Sequence, residues 1–217
     1  MQALARWRAV AESRLISAAR AWVIDKYPYN RDHLLRALER LDDLAPGSSD
    51  AVRLATLTHD MERAFPGPES PVMSALDDPE YNQQHCERSA RIVTAWLREQ
   101  QAPEILIRDV EQLVLAHETG GSAEADLVQA ADSLSFLDTN VDLFLGFARS
   151  GRFPVSAVRW KFENTYDRIK VPRARLIARP LVDDAVARLA ALEPTVAPPA
   201  ALSGDGQSIM SFPLDEG

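Results

Sequence analysis

The chain has four histidines, and they fall in one order with two aspartates: His33, the doublet His59-Asp60, His85, His117 and Asp132. Imidazole and carboxylate are the donors that divalent first-row metals accept where no thiolate cluster is present. These six groups brought together would hold one or two transition metal ions, whether Fe, Mn, Zn, Co or Ni. The chemistry implied is metal-assisted, with phosphoester hydrolysis foremost: a metal-bound water loses its proton near neutral pH and attacks phosphorus as hydroxide. Two other chemistries drop out. No Gly-x-x-x-x-Gly-Lys-Ser/Thr loop occurs, so this is not a P-loop nucleotidase. Cys86 beside His85 is no protease dyad, because adjacent residues on a helix point about 100° apart.

The elements that must carry these groups read as helices. Ala, Leu, Glu and Arg are abundant and period-two β-branched runs are absent. A first helix is expected over about 3–25, with Leu4, Trp7, Val10, Leu15 and Ala18 as its stripe, broken by Pro28. Asn30 reads as the N-cap of a second helix that ends before Pro46-Gly47 and places His33, Ala37, Leu41 and Leu44 on one face. A third starts near Ser49-Asp50 and runs into His59-Asp60. The proline-rich 66–71 is a loop, and a fourth helix covers about 80–100 with His85 facing inward. Pro103 opens a fifth, whose stripe Leu106, Val110, Leu113, His117 ends at Gly120-Gly121; Ser122 caps a sixth that carries Asp132 to about Asn140. Two or three more helices fill 141–193. Residues 194–217, rich in Pro and Gly, read as a disordered or loosely docked tail after a single helical domain, 1–193.

Bulk properties narrow the setting. A chain of 217 residues, 46% hydrophobic, suits one sizeable core. A net charge of -8 argues against a broad nucleic-acid surface, and the single cysteine excludes an intramolecular disulfide. No run reaches the ~18 apolar residues of a membrane span, and no secretory signal is evident, so a cytoplasmic location is expected. The oligomeric state is open.

Six polar groups on otherwise apolar stripes would each cost about 1–3 kcal/mol if buried without partners. A shared cation removes that cost; backbone carbonyls are the alternative partners for each histidine taken singly. The order His33, His59-Asp60, Asp132 resembles the HD-domain superfamily of metal-dependent phosphohydrolases. His85 and His117, lying between the doublet and the last Asp, resemble its binuclear branch. The likeness covers about 30–140 and includes the tract from Leu113 through His117 and Gly120-Gly121 to Asp132. It implies an all-α, HD-domain-like bundle of five to six core helices plus extra C-terminal ones. It also implies that His33, His59, Asp60 and Asp132 hold one metal and that Asp60, His85 and His117 hold the second, Asp60 bridging. Without His85 a mononuclear site remains. Departures are local: His59-Asp60 continues as Met61-Glu62 rather than Ile-Gly, and no Gly-Tyr-Pro follows Gly121, which removes the cyclic-di-GMP phosphodiesterase subgroup.

The resemblance implies a phosphohydrolase acting on a nucleotide or small phosphorylated metabolite. Within the binuclear branch a di-iron oxygenase is the alternative, and a non-catalytic nucleotide-binding protein on the same fold is another. Besides Asp60, Glu62 and Glu118 stand near enough in sequence to orient the water or move a proton. Residues 149–175 carry a local charge of +6 in an acidic chain, with aromatics interleaved. Arg159, Lys161, Tyr166 and Arg168 are therefore candidate substrate contacts, with Tyr166 or Trp160 stacking on a base, and Arg63, three residues after Asp60, is a further phosphate-contact candidate. A basic solvated helix face with core aromatics fits the same pattern.

Overall fold

Short polar caps and prolines set the helix boundaries. The computed structural model describes residues 13–192. Among these the secondary structure is helical, without strands: α1 (Arg14–Lys26), α2 (Arg31–Leu44), α3 (Asp50–Thr58), a 3-10 turn (Met61–Ala64), α4 (Pro79–Glu99), α5 (Glu104–Leu115), α6 (Ala123–Thr139), α7 (Val141–Arg149), α8 (Val155–Asp167) and α9 (Pro172–Ala190). The side chains of Ser13, Ser49, Asp78 and Ser122 accept the N–H groups of Ile16, Val52, Tyr81 and Ala125, satisfying helix-start donors for about 1 kcal/mol each. Pro79 and Pro172 take first-turn positions, where no N–H is missed.

Three details differ from the sequence reading. Asn30 stands at the N-cap of α2, but its side chain makes no cap bond; its amide reaches the Tyr27 hydroxyl instead, at 3.5 Å. In α1 the buried face is Ile16, Ala19 and Val23, with Leu15 and Ala18 at its edge, so the stripe lies one residue off the expected one. Leu4, Trp7 and Val10 fall outside the described residues, as does the 194–217 tail. Helix α5 stops at Leu115, before the glycines, and His117 sits in the turn that follows. Gly120 at φ +64° turns the chain there, where a Cβ would collide with the Asp126 carboxylate, and that carboxylate accepts the Gly121 N–H at 2.8 Å.

Helix α6 is the axis of the bundle. It is buried almost all round and packs against α2, α3, α8 and α9. Its Ala125, Val128 and Ala131 join a core formed with α1 to α5, around Leu34, Leu41, Leu54 and Leu57. Its Ala130, Leu134, Phe136 and Leu137 join a second core with α7 to α9, around Val158, Phe162 and Ala178. Arg36 and Arg40 both bind the Asp138 carboxylate at 2.7–2.8 Å, fixing α2 to α6 in register. That register matters because His33 and Asp132 lie on these two helices. Among the described residues no helix is long and apolar enough to cross a membrane.

Candidate metal centre

Each histidine sits where a helix begins or ends, or on a buried helix face, so its ring is aimed by backbone. His33 is in the first turn of α2; His59 closes α3; Asp60 opens the 3-10 turn; His85 lies on the inner face of α4; His117 follows α5. All four imidazoles are buried, as are Asp60 and Asp132.

Three rings have one nitrogen occupied by an oxygen that can only accept. His59 Nδ1 donates to the Thr56 carbonyl at 2.9 Å, His117 Nδ1 to the Val114 carbonyl at 2.7 Å, and His85 Nδ1 to Glu62 Oε2 at 3.0 Å. Such partners fix the tautomer of His59 and His117 and leave each Nε2 with its lone pair directed inward, whereas His85 lies between two carboxylates, with its Nε2 3.0 Å from Asp60 Oδ1. His59 Nε2 and His117 Nε2 have no hydrogen-bond partner at all, although both are buried. His59 Nε2 faces Asp132 Oδ1 at 3.3 Å, and His33 Nε2 lies 3.1 Å from the same oxygen. Asp60 stands between the two pairs of rings. Its Oδ1 is 3.0 Å from His85 Nε2 and 3.9 Å from His59 Nε2, and its Oδ2 is 4.0 Å from His33 Nε2.

These distances give two sets of donors, His33–His59–Asp60 and Asp60–His85–His117, each with its atoms within 4.8 Å of one another and with Asp60 in common. An ion about 2.1 Å from every donor places neighbouring donors roughly 3 Å apart. Inward lone pairs facing carboxylate oxygens repel unless a cation lies between them. The buried His and Asp groups could therefore hold a metal ion. Without one, a proton must serve. Burial lowers the His59 pKa, but Asp132 and then Asp60 outweigh it and lift the ring to about 9. Burial pushes His117 down to about 4, with His59 adding to the effect. Burial opposes ionisation of Asp60 and Asp132, yet Arg63 beside the first and Arg168 beside the second hold both well below the usual carboxylate range.

A second ring of side chains orients the donors. Arg63 pairs with Asp60 Oδ2 and is itself held by the Tyr81 hydroxyl at 3.3 Å. Arg168 binds Asp132 Oδ2, Glu118 Oε2 and, at 2.9 Å, the Ser133 hydroxyl. Glu62 was expected to face the reacting water. It lies instead behind His85, on the edge of the ring opposite Asp60, and its other oxygen accepts from Arg88 at 2.9 Å. Its role in this geometry is to aim His85. Glu118 does face the interior: Oε1 is 3.8 Å from His117 Nε2. Burial raises its pKa, but Arg168 and Lys161 bring it down to about 2, so it is a carboxylate at neutral pH.

Three of the six donors, His33, Asp60 and Asp132, line a cavity of about 510 Å³ together with Arg63, Lys161 and Arg168, while His59, His85 and His117 lie behind them. Glu118 lines the cavity as well and separates it from a neighbouring cleft near Cys86. Two expected substrate contacts are not in these walls. Tyr166 is covered by Arg175 and Arg179, whose guanidinium carbons stand 4.3 and 5.5 Å from its ring centre. Arg159 lies on α8 two residues before Lys161, a spacing that turns it to the opposite side of the helix, and it does not line the cavity. Trp160, which was expected to stack on a base, is exposed and likewise outside the walls.

The structure adds residues that the sequence reading passed over. Arg88 sits one turn after His85 and was visible only as one more helix charge. Tyr27, Tyr29 and Tyr81 line the cavity, and Tyr81 stacks on His85 with the rings 5.9 Å apart. Phe136, Phe144, Phe147 and Phe153 line its far side. No periodicity signal separates an aromatic in a cavity wall from one in a core.

No protein-family model, curated protein or solved structure matches this chain.

Proposed function

We propose that this chain is a metal-dependent phosphohydrolase of HD-domain type, cleaving a phosphoester or phosphoanhydride of a small phosphorylated metabolite or nucleotide. One observation carries the reading: two buried donor sets share the Asp60 carboxylate, as a bridged pair of divalent ions requires. His33, His59 and Asp60, with Asp132 beside them, would hold one ion; Asp60, His85 and His117 would hold the other. Bound metal would supply Lewis-acid polarisation of the phosphoryl group and a water acidic enough to lose a proton near pH 7.

The chain's own residues do the rest. Lys161 and Arg168 line the cavity beside the donors and can bind phosphoryl oxygens as negative charge builds on them. Glu118, ionised and 3.8 Å from His117, can accept a hydrogen bond from the attacking water and hold it in line. Arg63 keeps Asp60 ionised and fixed. The buried walls around His59 and His117 exclude bulk water from the donors.

The test is elemental analysis of tag-free protein together with phosphate release from a panel of phosphoesters. The expected result is about two equivalents of Fe, Mn, Zn, Co or Ni per chain and phosphate release that stops on chelation. Turnover that requires dioxygen, or protein that binds a nucleotide but no metal, would overturn the hydrolase assignment.

A further inference from the structure

The cavity has two unlike ends. At the metal end Arg63 is paired with Asp60, and Arg168 with Asp132 and Glu118. The ammonium of Lys161 makes no ion pair among the described residues; it stands 5.4 Å from the centre of the Phe136 ring. Phe136 follows Asp132 by one turn of α6, so this cation marks the junction between donors and aromatics. From there the rings run in a chain: Phe136 to Phe144 at 5.0 Å, Phe144 to Phe147 at 5.3 Å, Phe147 to Phe153 at 5.8 Å. Of the large apolar side chains left exposed among the described residues, Tyr29, Met73 and Leu143 line this same cavity. Leu143 is 50% exposed on α7, a helix whose Phe144 and Phe147 are only half-buried.

We propose that this aromatic wall is a substrate subsite, and that the substrate is amphiphilic: a phosphate-type anionic end at Lys161 and the donor cluster, and an aryl or alkyl body lying along Phe136, Phe144, Phe147 and Leu143. For the reacting group this rests on the phosphohydrolase reading; the apolar body does not depend on it. A nucleoside fits this wall poorly. A base and ribose present several donors and acceptors, and each left unpaired against phenylalanine costs binding. Of the amides in the cavity walls, Asn140 Oδ1 accepts from Thr139 at 3.0 Å and the Asn30 amide is turned to Tyr27, while Asn82 comes from α4 rather than from the phenylalanine side. An apolar body gains where those groups lose, and about 510 Å³ is ample for one of drug-like size.

The experiment has two arms on the full, metal-loaded chain. Calorimetry with methyl-, butyl- and octylphosphonate is expected to show affinity rising about threefold per added methylene until the cavity is full. Leu143→Asn and Phe147→Asn should remove most of that gain while metal content and methylphosphonate affinity stay within about twofold. Leu143 is half-exposed, so its substitution does not threaten the fold. Hydrolysis of naphthyl and hexyl phosphate is expected to exceed that of glycerol phosphate and adenosine monophosphate by at least about tenfold in kcat/KM. A steep phosphonate series with no ester cleaved would sink the hydrolase reading and leave the subsite standing. Ester cleavage without preference, or a flat phosphonate series, or no phosphonate binding, overturns the subsite.

Discussion

The half of the bundle made by α2 to α5 and the half made by α7 to α9 meet the same cavity with opposite chemistry. The first half presents short side chains whose positions are set by backbone: His59 and His117 are pinned through Nδ1 to carbonyls three residues earlier in their own chain. The second presents long cationic side chains and loose aromatics, Lys161 from the middle of α8, Arg168 from its C-terminal end, and Phe144 and Phe147 from α7. Metal donors tolerate errors of a few tenths of an ångström, and helix ends supply that precision. Contacts to the proposed substrate would need reach and variety instead. Helix α6 faces both, with Asp132 Oδ1 toward His33 and His59 and its Oδ2 toward Arg168.

The sharpest way to break this division is to remove one donor from the first half. Asp60→Asn keeps the shape but neutralises the carboxylate that both donor sets share. Metal content is expected to fall below one ion per chain and activity by on the order of 10³-fold. If two ions remain bound, Asp60 is not a bridge, and the donor sets are a coincidence of packing.

The second half should behave differently. Arg168→Met leaves Asp132 and Glu118 buried without their cation, costing about 3 kcal/mol of stability, while the histidine donors remain. The expected result is a lower melting temperature and kcat/KM down by roughly 10²-fold with metal retained. Lys161→Met removes a cation that makes no ion pair among the described residues, though its charge helps Arg168 keep Glu118 ionised. It should raise KM about tenfold with a smaller loss of stability than Arg168→Met, because Arg168 still binds Glu118 and Lys161 itself stands against Phe136 without an ion pair. Metal loss in either variant equal to that of Asp60→Asn would erase the contrast between the halves.

Legibility in the sequence follows the same division. The helices and the donor order were readable because His, Asp and Ser are few and their spacing falls on apolar stripes; α3, α4 and α6 lie within a residue or two of the expected bounds. His117 was placed on a helix stripe that in fact ends at Leu115, since the Gly120 turn begins earlier than the glycines suggest. The cationic stretch was visible as charge, yet its members diverge. Lys161 and Arg168 point inward, and Arg159 and Tyr166 do not line the cavity, because a helix spreads neighbouring residues around its full circumference. Glu62 was legible as an acid near the doublet but not as the partner of His85, which required knowing that α4 packs on the 3-10 turn.

That partner offers a finer probe of the first half. Glu62→Ala takes away the oxygen that holds His85 Nδ1 without touching a donor atom. Metal affinity for one of two sites is expected to drop about 10- to 100-fold in a chelator competition, with the other site unchanged. An equal loss at both sites would mean that Glu62 holds the fold of the turn rather than the ring.

The smallest expected effect concerns protons standing in for metal. In metal-free protein His59 is lifted to about 9, against an unfolded value near 6.5. A raised pKa stabilises the fold fully below pH 6.5, and that contribution is lost as pH rises through 9. His117, depressed to about 4, works the other way: its contribution is present above 6.5 and lost as pH falls toward 4, where Glu118 at about 2 then adds to the loss. The chelated protein should therefore melt highest near pH 6.5 and lose at least about 3 °C by pH 9. With metal restored, the ion replaces the His59 proton, so the alkaline limb should flatten while the acid limb steepens, since protons then compete with the ion for imidazole. Identical pH profiles with and without metal would show that no cation, proton or ion, lies between His59 and Asp132. The inward geometry of the first half would then have lost its electrostatic rationale.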